Sequence, residues 1–220
     1  MEMVLTKKEK FQVKDPLSAL THFIGFLAVI PVGFSLLALS ETKIQFISFT
    51  VFSISLLLLY GASTIYHTLR LSAEKTALLR RIDHMMIFIL IAGTYTPVCL
   101  NVLSGKFGTI LLSAIWIIAV AGVFMKFFWM DAPRWLSTMI YVVMGWLSIT
   151  AFIPLLKTVG WGGFGMLLGG GIAYTAGALI YALKKPNLSV LKNFGFHEIF
   201  HVFVMLGTAF HIAFMFIFIL

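Results

Sequence analysis

A single cysteine in 220 residues excludes an intramolecular disulfide and a cysteine-based zinc site. Cys99 is expected to be a small apolar filler. Charge is equally scarce: Asp, Glu, Lys and Arg make up 11% of the chain, and only eight residues are acidic. No polar stretch is long enough to house a second domain, and the sequence shows neither an internal repeat nor a low-complexity tail. What fills the chain instead is apolar, 60% of it, with a mean hydropathy of +1.03. A soluble domain of this length could not hide that much apolar side chain.

Seven windows carry almost no charge: 17–39, 44–69, 82–102, 107–129, 135–156, 161–183 and 194–220. Each is about 20 residues or longer, enough at about 1.5 Å per residue to cross about 30 Å of hydrocarbon. The fold expected is a single all-α transmembrane domain, 1–220, a seven-helix bundle in the cell membrane. Its connections are the short segments 40–43, 70–81, 103–106, 130–134, 157–160 and 184–193. The first window follows a basic head, Lys7-Lys8-Glu9-Lys10. Its apolar run is too long for a signal peptide and no A-x-A-like cleavage site follows, so it is expected to be a retained helix.

A net charge of +8 could indicate nucleic acid, but the positions of the charges account for it without any. Starting with the N-terminus inside, thirteen of the sixteen basic residues fall in inner segments, and only Lys43, Lys106 and Lys157 fall outside. That asymmetry predicts a cytoplasmic N-terminus and, with seven spans, an external C-terminus. Membrane lipids are the expected partners; attraction to anionic headgroups follows from the same charges. The sixth window is dense in glycine, from Gly160 to Gly177, as close helix packing in lipid requires. A glycine-floored substrate groove is the alternative. Pro97 should kink the third helix.

Six of the acids, Glu2, Glu9, Asp15, Glu41, Glu74 and Asp131, fall in tails or loops, where solvation is the default. Asp83 and Glu198 instead open apolar windows beside histidine, in Asp83-His84 and His197-Glu198. An ionisable group in a membrane helix suggests function. His197-Glu198-Ile199-Phe200-His201 fits H-E-x-x-H, and its two histidines share one helical face. A zinc protease needs a third ligand further along. Val204 and Gly207 stand where the metzincin pattern requires glycine and histidine, and no acid follows Glu198. The protease reading therefore fails.

The alternating topology puts His67, at the end of window two, at the same depth as Asp83, His197 and His201. Ser63 lies one turn before His67 on the same face. Three imidazoles with a water held by a carboxylate make a hydrolytic zinc centre. His211 lies about 15 Å deeper than His201 and is excluded from such a cluster. His22 starts from the same side and is expected to be packed or supporting rather than ligating. Glu198 sits where a helix N-terminus favours an acid. The alternative for the histidine pair is hydrogen bonding across the bundle.

These segments resemble the hemolysin III proteins, the bacterial branch of the progestin and adipoQ receptor family, in a superfamily that includes alkaline ceramidases. The resemblance rests on Ser63-Thr64-Ile65-Tyr66-His67, on Arg80-Arg81-Ile82-Asp83-His84 with Ile91-Ala92-Gly93-Thr94-Tyr95-Thr96-Pro97, on His197-Glu198-Ile199-Phe200-His201, and on Thr21-His22 with Gly25. It spans the chain. It implies a seven-helix bundle with a zinc ion near the cytoplasmic side, ligated by His67, His197 and His201. Asp83 would hold the attacking water, with Ser63 beside it. Asp15-Pro16-Leu17-Ser18 departs from the usual acidic and asparagine pattern before Thr21-His22. Two classes of function follow: a zinc-dependent hydrolase of a lipid amide or ester, or a membrane-active cytolytic protein or receptor-like sensor with structural zinc. A conducting pore normally needs a polar stripe through the whole bundle, whereas the polar residues here gather at one depth.

Overall fold

The computed structural model describes residues 12–103, 105–129, 132–185 and 194–220, all of them helix, turn or irregular, with no strand. Seven helices follow one another: α1 Pro16–Ala38, α2 Lys43–Thr68, α3 Ala73–Pro97, α4 Lys106–Phe128, α5 Arg134–Trp146, α6 Phe152–Leu183 and α7 Phe196–Phe214. Among the described residues six helical segments are long and apolar enough to cross a membrane, because α5 and α6 run on through a 3-10 turn as one stretch, Trp135–Leu183.

That stretch has 49 residues. Straight, it would measure about 73 Å, more than twice the hydrocarbon thickness. It is not straight. Trp146 Nε1 donates to Thr175 Oγ1 at 2.9 Å, across 29 residues of sequence. Two residues so far apart in one helix would be more than 40 Å from each other. The chain therefore turns back at Gly160, whose φ of 63° and ψ of −172° only glycine adopts readily. Phe152 and Phe164, on opposite sides of the turn, have ring centroids 4.9 Å apart.

The surface is apolar and much of the interior is polar, as lipid demands. Phe34, Ile110, Ile117, Phe128 and Trp161 are each more than two-thirds exposed. Ser18, His22, Ser63, His67, Asp83, Lys126 and His201 are buried. Between them lies a core of Phe49, Phe52, Tyr60, Phe88 and Phe214. The most extensive packing is α6 on α7, α1 on α2 and α2 on α3. Glycines serve the α6–α7 contact: a Cβ on Gly170 would strike the His211 ring, and one on Gly207 the Tyr174 ring. Close packing, not a groove, is thus the role of these two.

Both ends of α3 differ from the sequence expectation. α3 begins at Ala73 rather than at 82, because Ser72 caps it and Glu74 occupies its first turn. At the other end Pro97 removes a backbone donor, and the chain continues as a π-turn, Val98–Val102. Within this turn Asn101 Nδ2 donates to Pro97 O at 2.8 Å and to Ser48 Oγ at 3.0 Å.

Candidate metal centre

The ends of α1, α2 and α7 meet where His67 finishes α2 and His197 and His201 open α7. One ring nitrogen from each of the three lies within 4.8 Å of the other two, so together they could hold a metal ion. His67 Nε2 and His197 Nε2 are 3.1 Å apart. Two nitrogens bound tetrahedrally to a first-row ion at about 2.0–2.1 Å stand about 3.3 Å from each other, so this spacing already suits shared ligation.

The outer nitrogens of two of the rings are tied down. Asp15 Oδ2 lies 2.9 Å from His67 Nδ1. His201 Nδ1 lies 3.1 Å from Thr21 Oγ1 and 3.3 Å from Ser18 O. In both rings this leaves Nε2 as the free ligand atom, and in His67 it faces His197 Nε2, as in the tautomeric arrangement metal-ligating histidines adopt. His22 stacks on His201, centroids 3.6 Å apart and planes 11° from parallel. Its nitrogens have no hydrogen-bond partner among the described residues.

Asp15 is the residue that reading the sequence as tail and loop missed. It immediately precedes α1, yet its side chain does not cap that helix. Backbone bonds Asp15 N to His67 O, 2.9 Å, and Lys14 N to Thr68 O, 3.2 Å, clamp the segment to the end of α2. Lys14 Nζ sits 3.4 Å from the same carboxylate and 3.3 Å above the Tyr66 ring. Burial pushes the Lys14 ammonium below its usual value, with Asp15 pulling the other way. The Asp-Pro pair at a helix start was the available signal, since it places Asp15 at the depth of the histidines.

Glu198 is not aimed at the cluster. Its Oε1 accepts from Ser18 Oγ at 2.5 Å and its Oε2 from Gly195 N at 2.8 Å. The glutamate of the H-E-x-x-H string thus closes the first turn of α7 and staples it to α1. Ser18, in the stretch that departs from the family pattern, takes part in two of the hydrogen-bond contacts with α7.

Asp83 and Ser63 are buried and line a partly open cavity of about 220 Å³ together with His22, His197 and His201. Ser63 lies against the Asp83 carboxyl, though its hydroxyl closes no hydrogen bond of ordinary geometry among the described residues. Away from the histidines the cavity wall turns apolar, with Leu90, Val98, Leu103, Leu111 and Leu155. His211, which also borders the cavity, stands apart from the cluster and faces Leu167 O at 3.4 Å.

The haemolysin-III-related family model matches residues 11–212. A hemolysin-3 homolog of Bacillus subtilis (strain 168) is 39% identical over 203 residues, covering 90% of this chain and 92% of that one. Hemolysin-3 of Bacillus cereus is 36% identical over 208 residues, 93% of this chain and 91% of its own. An adiponectin receptor protein of Drosophila melanogaster is 27% identical over 210 residues, 87% of this chain but 47% of the receptor. That more distant similarity fits the progestin and adipoQ receptor family. With several membrane-length apolar helices and a family match over most of its length, the chain is a multi-pass membrane protein that belongs to the haemolysin-III-related family.

Proposed function

We propose that this protein is a zinc-dependent hydrolase of a membrane lipid amide or ester, with seven membrane crossings and a cytoplasmic N-terminus. The observation that carries the reading is the convergence of three histidines, two of which, His197 and His201, line a cavity that Asp83 also lines. His67, His197 and His201 would hold the zinc. The donor set is right for it: three neutral imidazoles, at tetrahedral spacing between His67 and His197, with a carboxylate behind His67. On three imidazoles zinc supplies Lewis acidity toward a carbonyl and lowers the pKa of water.

The chain's own groups supply the rest. Asp15 and Thr21 fix the rings of His67 and His201. Asp83 is the general base, accepting the proton of the attacking water, and Ser63 orients its carboxyl. The apolar stretch of the cavity, from Leu90 to Leu155, receives an acyl chain and keeps bulk water from the reacting bond. Glu198, with both oxygens engaged, has no catalytic part.

The seven-crossing count is supported by the reversal at Gly160, which divides the 49-residue stretch into two antiparallel halves of membrane length. The distribution of lysine and arginine supports the orientation. The names of the bacterial relatives favour a second reading, cytolysis. A pore through the monomer is disfavoured by the apolar far half of the cavity. Lysis through released lipid products would join both readings.

Turnover is the test. Purified wild type, presented with long-chain amides and esters in mixed micelles, is expected to release free fatty acid. A wild type that binds zinc and cleaves none of a broad panel overturns the hydrolase reading in favour of a sensor or structural centre.

A further inference from the structure

Lys126 is a lysine in the wrong place for a lipid-facing helix end. Its neighbours Phe124, Phe127 and Phe128 are 57%, 52% and 77% exposed, whereas Lys126 is 3% exposed. A lysine near a membrane surface ordinarily snorkels outward to headgroups. This one turns inward and lines the cavity. Among the described residues it makes no ion pair and no hydrogen bond, and the Arg80 guanidinium adds a second positive charge within electrostatic reach. An ammonium that faces a largely apolar cavity without a counter-charge is unfavourable, and a ligand can supply what the protein withholds.

Its level in the bundle follows from two packed layers. Gly122, one turn before Lys126 on α4, lies against the Phe88 ring. Phe88 lies one turn from His84, so Lys126 stands level with Asp83-His84. On α5, Tyr141 donates to His84 O at 3.1 Å, which sets Ser137 and Thr138 one turn beyond, toward the same end. Both are buried and line the cavity, and Ser137 Oγ has no hydrogen-bond partner among the described residues. Ser137 also falls in the first turn of α5, where the helix dipole favours negative charge. The cavity thus has a histidine wall on α1 and α7, with Ser63 of α2 beside it, and an ammonium-hydroxyl wall on α4 and α5.

We propose that Lys126, Ser137 and Thr138 form an anion site for the charged head of an amphiphile, a phosphate or a carboxylate, whose hydrocarbon chain lies along the apolar part of the cavity. The ammonium offers three donors and each hydroxyl one, all suited to anionic oxygen. On α3 the lining runs from Asp83 to Tyr95, about 18 Å of helix, and continues beyond it to Val98 and Leu103, so the apolar part is elongated as a hydrocarbon chain requires. The site deepens the lipid-hydrolase reading by naming the charge of its ligand, but it uses neither the metal nor turnover.

The test is binding to the full chain in a neutral detergent, with hexadecyl phosphate, hexadecanoate and hexadecanol as probes. The anions should bind about tenfold or more tighter than the alcohol, and Lys126→Gln should abolish that preference while leaving hexadecanol unchanged. Lys126→Arg should preserve it, and Ser137→Ala should weaken it a few-fold. The tighter of the two anions distinguishes a lipid phosphate from a fatty acid. A wild type without anion preference, or a Lys126→Gln variant that keeps it, overturns the proposal. So does equal thermal destabilisation by Lys126→Gln and Asp131→Asn, not increased in the double variant, with anion binding intact. That result would make Lys126 the partner of Asp131, which lies outside the described residues. Zinc content and fatty-acid release on the same samples keep the readings apart, because anion preference without turnover sinks only the hydrolase.

Discussion

Asp15 Oδ2 stands 2.9 Å from His67 Nδ1, joining residues 52 positions apart at the rim of the histidine cluster. A carboxylate behind a ligating imidazole fixes its tautomer and raises its basicity. Asp15→Asn should therefore weaken zinc binding by about 10–100-fold while the protein still folds. Competition with a chelator of known affinity measures it. Unchanged affinity would make the contact incidental.

Glu198 gives the opposite expectation. Both its oxygens are spent on Ser18 and the backbone of Gly195. Glu198→Ala should lower stability by about 1 kcal/mol through loss of the cap, leaving zinc bound and any turnover within a few-fold of wild type. Thermal denaturation and zinc content on one sample decide it. A complete loss of activity with zinc and fold retained would restore the protease-like role that the H-E-x-x-H string suggests.

Gly160 tests the topology. Its φ of 63° and ψ of −172° are costly for any side chain, so Gly160→Val should destabilise the hairpin by about 1–3 kcal/mol. Reporter fusions at the two ends of the wild-type chain should report opposite sides of the membrane, with the N-terminus cytoplasmic. The same side for both ends would remove the seventh crossing.

The histidines were legible because two physical periods coincide. Four residues bring His197 and His201 to one face, and alternating membrane passages bring His67 to their depth. The zinc-protease reading failed correctly for want of a third ligand on α7. Asp15 and Ser18 were harder to read: the Asp-Pro pair marks where the first helix starts, but it does not name their partners, which lie 52 and 180 positions away. Lys126 hid for a different reason. A basic residue at an inner helix end satisfies the charge rule whichever way it faces, and only the exposure of Phe124, Phe127 and Phe128 reveals that it faces inward. The break at Gly160 was visible as a polar connection, but α5 and α6 remain helical almost to the turn itself.

Asp83 separates a catalytic centre from a structural one. Asp83→Asn keeps the size of the side chain and one acceptor but removes the base. Zinc should stay and hydrolysis of a long-chain amide should fall by at least about 100-fold. Loss of zinc with the substitution would make Asp83 a ligand. Zinc retained with full turnover would leave it without a role.

The central claim is that His67, His197 and His201 hold one zinc with a position left open. X-ray absorption at the zinc edge, on metal-counted protein, tests it most directly. The account predicts about one zinc per chain, three nitrogens at about 2.0–2.1 Å and one further light ligand exchangeable with solvent. It also predicts near-complete loss of the metal in His67→Ala and none in His211→Ala. A metal-free wild type, or a site emptied by His211→Ala and untouched by His67→Ala, would contradict it.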